Sequence, residues 1–135
     1  MAHDAHQRPR WAVKAHLSEA FGSGVHHIAL ATSDIFATVQ RLKANGVSLL
    51  AMPENYYDDV ESKTDLSAEQ IDALRAHNLL YDRDASGEYL QAYTQTFEDR
   101  FFFEIVERRG YKGFGAANAP IRLAAQSRLV NNPAP

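Results

Sequence analysis

The sequence predicts an α+β domain. Three observations carry that expectation: a two-residue apolar alternation in "GVHHIALA", an apolar repeat at helical spacing just behind it, and three successive strand-like runs, "LLYDRD", "EYLQAYTQ" and "FFFEIVERR", with short turns between them. A chain of 135 residues suits one domain with a core of ordinary size.

Residues 1–23 read as a polar N-terminal extension that closes in the flexible "FGSG". From Gly24 to Thr32 the chain reads as a strand, with Val25, His27 and Ala29 on one face and His26, Ile28 and Leu30 on the other. "SDIFATVQRLKANG" reads as a helix. Ser33 or Asp34 can cap it, Ile35, Val39 and Leu42 repeat along one side, and Asn45-Gly46 ends it. "VSLLAM" is expected to be a short second strand stopped by Pro53, and "PENYYDDVESKTDL" an acidic connection. Ser67 and Gln70 form a capping box for a second helix, "SAEQIDALRAHN". After the three strands, "GYKGFGAANAP" reads as a glycine-rich loop and "PIRLAAQSRLV" as a last helix with Pro120 in its first turn. Residues 131–135 read as a tail.

A net charge of -3 gives no general pull toward nucleic acid or an anionic membrane, and neither is expected as a partner. The sequence has no cysteine, which excludes disulfides, thiolate ligands and a cysteine nucleophile and suits a reducing cytoplasm. No apolar run approaches the roughly 18 residues of a membrane span.

Two features could carry chemistry. His26 and His27 are adjacent on a strand, so they face opposite sides and only one can enter a given site. A hydrogen-bonded structural imidazole is the alternative for either. Glu104 sits among Phe101, Phe102, Phe103, Ile105 and Val106. It either points inward to a partner or a metal, or marks the solvated face of a half-buried strand. An inward imidazole and carboxylate on one sheet would make an N/O site suited to Fe(II), Mn or Zn, with a third ligand still to be found. Arg108, Arg109 and Lys112 read as a solvated basic edge, and "NYYDD" as a solvated loop, with cation binding as the alternative.

"GVHHIALATSDIF", "YLQAYTQTFEDR", "FFFEIVERRG" and "GFGAANAP" together resemble the C-terminal part of the 4-hydroxyphenylpyruvate dioxygenase family, within the vicinal oxygen chelate (glyoxalase-like) superfamily. The likeness runs from about Gly24 to Gln126. The longer stretch "FFFEIVERRGYKGFGAANAPIRLAAQ" is also similar to the dioxygenase-like domain behind the barrel of bacterial 3-dehydroshikimate dehydratases. The resemblance implies a single βαβββ module over residues 24–130, with an inserted helix and a C-terminal helix. It implies His27 and Glu104 as ligands of Fe(II), or of Mn, Mg, Co or Zn in its place. Gln91 would line the pocket and Phe114 would be one of two rings that clasp the substrate; Ala119 stands where the family has the second.

The activity implied belongs to aromatic amino acid catabolism: an aromatic 2-oxo acid is converted to homogentisate with O2 and loss of CO2. In the family a further histidine comes from a preceding module, and His16 in "KAHLSEA" does not match its motif. The expectation is therefore a homodimer or a complementary module that completes the site. Two other functions stay open: a non-catalytic module related to the C-terminal domain of the dehydratases, and a metal-free small-molecule binder.

Overall fold

The computed structural model describes residues 26–98 and 100–131. The expected extension 1–23 with His16, the strand start at Gly24 and Val25, and residues 132–135 of the expected tail lie outside the described residues. β1 (His26–Ala31) is followed by α1 (Ile35–Ala44), α2 (Glu54–Lys63), α3 (Ala68–Ala76), β2 (Leu80–Asp84), β3 (Gly87–Tyr93) and β4 (Phe101–Arg109). A 3₁₀ turn (Ala116–Asn118) then leads into α4 (Ala119–Asn131). The strands form one sheet in the order β1-β4-β3-β2, with β1 parallel to β4 and the other neighbours antiparallel. Parallel pairing of the first strand with the last demands a long crossover between them. The segment holding α1 to α3 supplies it.

The helix starts follow local chemistry. Asp34 caps α1 by accepting from the Ala37 N–H at 3.1 Å. The buried carboxylate of Glu107 reaches the same helix end and accepts from the Ile35 N–H at 2.8 Å. At α3 both halves of the Ser67–Gln70 capping box are made, at 3.1 and 2.8 Å. Ile35, Val39, Tyr57, Val60, Ile71 and Leu74 from these helices join Leu90, Ala92 and Ile105 of the sheet in one apolar cluster. By strand alternation, Leu90 and Ala92 face away from Tyr89, Gln91 and Tyr93. The sheet therefore has one face covered by helices and a second face open to other work.

Two expectations are corrected. "VSLLAM" is not a strand. Leu49 alone bridges Thr94, flanked by bonds from Leu50 N–H to Tyr93 O at 2.7 Å and from Gln95 N–H to Ser48 O at 3.1 Å. β2 begins at Leu80 opposite Gln91, so the end of β3 lacks a β2 partner and this extended segment fills the gap. Pro53 then starts α2, where an acidic connection was expected, so the insertion holds two helices. Tyr56, Tyr57 and Val60 bury one side of α2, while Glu54, Asp58, Asp59 and Glu61 stay in solvent. Among the described residues no helix is long and apolar enough to cross a membrane.

Candidate functional site

On the open face, β1, β3 and β4 present His27, Gln91, Tyr93, Glu104 and Arg108 to a cavity of about 680 Å³, closed by the loop after β4 and by α4. That is the size of an ordinary small-molecule site. Register explains the convergence: Ala29 lies opposite Glu104 across the parallel pair, and Tyr93 lies opposite Glu104 across the antiparallel one. All four residues singled out from the sequence, His27, Gln91, Glu104 and Phe114, line this one cavity. The side chain of His26 lies outside the described residues.

Glu104 points inward and is 8 % exposed, with Phe102 and Val106 buried on the same strand face. Its Oε1 lies 3.5 Å from His27 Nε2, too long for a charge-assisted hydrogen bond and close to the spacing of two ligands on one cation. Its Oε2 accepts from Gln91 Nε2 at 2.7 Å. Gln91, only 1 % exposed, also donates to the Tyr93 hydroxyl at 2.9 Å and accepts at Oε1 from Asn118 Nδ2 at 2.9 Å. Asn118 Oδ1 in turn accepts from the Tyr56 hydroxyl at 3.0 Å, and that hydroxyl takes the Tyr81 N–H at 2.8 Å. A buried chain of hydrogen bonds thus ties α2 and the 3₁₀ turn to the Glu104 carboxylate. Such chains are costly to break, because each orphaned group stays buried.

Sequence reasoning missed Asn118, which stood in what read as a plain loop. An asparagine among alanines just ahead of a helix was the only available cue. Replacing Asn118 by alanine leaves Gln91 Oε1 without its donor, and urea unfolding should show a loss of about 2 kcal/mol. A loss below about 0.5 kcal/mol, the level of an ordinary surface change, would mean that the chain does not bear on stability.

Rings brace the site. His27 stacks on Phe102 with centroids 5.2 Å apart and planes at 13°, and Phe102 meets the edge of Tyr93 at 5.8 Å. Burial, with the Glu104 charge adding to it, pushes the Tyr89 phenol up to about 12 and that of Tyr93 higher still. Both hydroxyls therefore stay protonated at neutral pH. Gly115 has φ +66°, and a Cβ there would come within 2.7 Å of the Tyr89 ring and 2.8 Å of Gln91 Oε1. Only glycine lets the loop close this tightly on the sheet. Phe114, just before it, is 72 % exposed.

Arg108, Arg109 and Lys112 are all exposed, as expected of a basic edge, but Arg108 also borders the cavity. Its guanidinium lies 4.7 Å from the Tyr89 ring and 5.3 Å from the Phe114 ring, at the cavity wall. Arg109 is held by Glu107 at 2.6 Å.

The donor set is one imidazole nitrogen and one carboxylate oxygen, which suits two positions around a borderline divalent cation. Among the described residues no three His, Asp or Glu side chains gather as a complete metal site.

A mixed sheet in the order β1-β4-β3-β2 with its helices makes an α+β module of the glyoxalase-like kind. The chain is similar to the glyoxalase/bleomycin resistance protein/dioxygenase superfamily, whose family model matches residues 2–62. Within that class it is 52 % identical over 119 residues to 3-dehydroshikimate dehydratase of Pseudomonas aeruginosa, covering 87 % of this chain and 19 % of that protein. It is 40 % identical over 108 residues to 4-hydroxyphenylpyruvate dioxygenase of the same organism, covering 78 % of this chain and 30 % of the dioxygenase.

Solved structures agree. A xylose isomerase-like TIM barrel/4-hydroxyphenylpyruvate dioxygenase fusion protein superposes with a TM-score of 0.73 at 51 % identity, over 76 % of this chain and 17 % of that one. A triple mutant of 4-hydroxymandelate synthase from Streptomyces coelicolor follows with a TM-score of 0.68 at 35 % identity, over 76 % and 29 %. The chain spans about a fifth of the length of the dehydratase it matches.

Proposed function

We propose that the chain is the metal-binding module of a dioxygenase-like enzyme that takes an aromatic 2-oxo acid, as 4-hydroxyphenylpyruvate dioxygenase does by its name. The observation that carries this reading is the 3.5 Å approach of His27 Nε2 to Glu104 Oε1 at the wall of a cavity of about 680 Å³. His27 and Glu104 would hold Fe(II), or Mn, Mg, Co or Zn in its place. Such an ion supplies Lewis-acid chelation of the 2-oxo acid and, as Fe(II), redox chemistry with O2. Gln91 sets the rotamer of Glu104, and its own amide has one orientation because Asn118 takes its carbonyl. Phe114 offers an aromatic surface to the substrate ring at the cavity wall. The remaining ligands would come from a second copy of the module, with two His27–Glu104 pairs in one site, or from a complementary module.

A second reading makes the module a non-catalytic companion of another domain. Ala119 favours it, since a methyl group lines the cavity at the position where the dioxygenase family has its second ring. Native mass spectrometry of the protein purified with Mn(II) separates the two. A dimer that carries metal, with the metal lost in His27→Ala, supports the metal-binding reading. A metal-free chain whose mass ignores the substitution would refute it.

A further inference from the structure

The cavity holds a cation that chelation does not use. Arg122 of α4 lies 5.3 Å from the Phe102 ring and 5.8 Å from the Tyr93 ring. Its Nη1 donates to Gln126 Oε1 at 3.0 Å, one turn along the same helix. Among the described residues no carboxylate pairs with it, whereas Arg75 and Arg109 have two each and Lys63 has one. Among the described residues Glu104 is the only carboxylate that lines the cavity, and it is engaged by Gln91 and His27. A half-buried guanidinium against two rings is partly stripped of water, and that strengthens the hydrogen bonds it makes to an anion. Its planar fork carries five N–H donors, of which Gln126 takes one; the remainder match the two oxygens of a carboxylate.

Place and room point the same way. Ala119, three residues earlier on α4, lines the same wall and with a single methyl leaves space beside the guanidinium. Both groups pack on one ring, Phe102: His27 is 5.2 Å from its centroid and Arg122 is 5.3 Å from it. A ligand that contacts both groups therefore needs to span no more than a substituted ring.

We infer that Arg122 is a specificity-determining anion anchor, so that the module selects ring compounds with a second negative group, a carboxylate, remote from the chelating end. The chelating end rests on the function proposed above; the remote anchor rests on Arg122 alone. The substrate class is then a dianionic ring acid rather than a neutral phenol.

The test compares phenylpyruvate with 4-carboxyphenylpyruvate, which share the 2-oxo acid and differ only at the far end of the ring. Calorimetric titration of the Mn(II)-loaded full chain should show the carboxylated compound binding about tenfold or more tightly, in line with a charge-assisted pair. In Arg122→Gln, with a thermal melt as the check on folding, the ratio should fall to near one. Equal affinity in the parent, a ratio that survives the substitution, or no binding of either compound at millimolar concentration would overturn the inference. So would an equal loss for both compounds in the variant, because Arg122 would then be holding the 2-oxo acid carboxylate itself. Repeating the titrations without Mn(II) isolates the other claim: a preference that persists, with affinities indifferent to the metal, upholds the anchor and sinks chelation.

Discussion

Glu104→Gln should lower the affinity for Mn(II) by at least about 100-fold while the protein stays folded. The substitution keeps the shape of the side chain and removes only its charge. The introduced carbonyl can still accept the Gln91 N–H that now reaches Glu104 at 2.7 Å, so little structural cost is expected. Alanine would be a poorer probe, because it strands that buried donor. A divalent cation depends far more on the anionic oxygen: changing a partner behind a metal ligand already costs about 10–100-fold, and loss of the charged ligand should cost no less. Calorimetric titration with Mn(II), run beside a thermal melt, measures both effects. Affinity within a few-fold of the parent, with an unchanged melt, would remove Glu104 from the ligand set.

Phe102→Ala should cost about 3–5 kcal/mol in urea unfolding, the range for deleting a buried ring from a packed core. Phe102 is 1 % exposed and touches His27, Tyr93 and Arg122, so the void would open beneath the site itself. Phe102→Leu keeps most of the apolar volume and should cost about 1–2 kcal/mol. A loss below 1 kcal/mol for the alanine variant would mean that the ring's surroundings collapse around it. His27 and Arg122 would then owe their positions to other contacts.

The fold was legible wherever the information is local. The Asp34 cap, the Ser67–Gln70 box and the run of three strands each declare themselves within a few residues. Alternation alone puts Glu104 on the face of Phe102 and Val106, and the structure buries all three. α2 escaped because its charge dominates its composition, although Tyr56, Tyr57 and Val60 have helical spacing. "VSLLAM" looked like a strand because extended backbone reads the same whether it makes a ladder or a single bridge; the start of β2 at Leu80 decides which.

The site divides in the same way. The strand pattern singled out Glu104 and the histidine pair, resemblance chose His27 and added Gln91 and Phe114, and strand pairing with the loop after β4 brings them to one cavity. The sequence by itself determined the strand faces, most of the helix ends and the residue types available for an N/O site. The tertiary structure alone decided that Asn118 locks Gln91 and that Arg122 and the exposed Arg108 border the cavity. Those placements arise where the loop after β4 and α4 fold back over the open sheet face, against residues distant in the chain. No local pattern encodes such contacts, because the side chains that meet there share no turn, strand or helix.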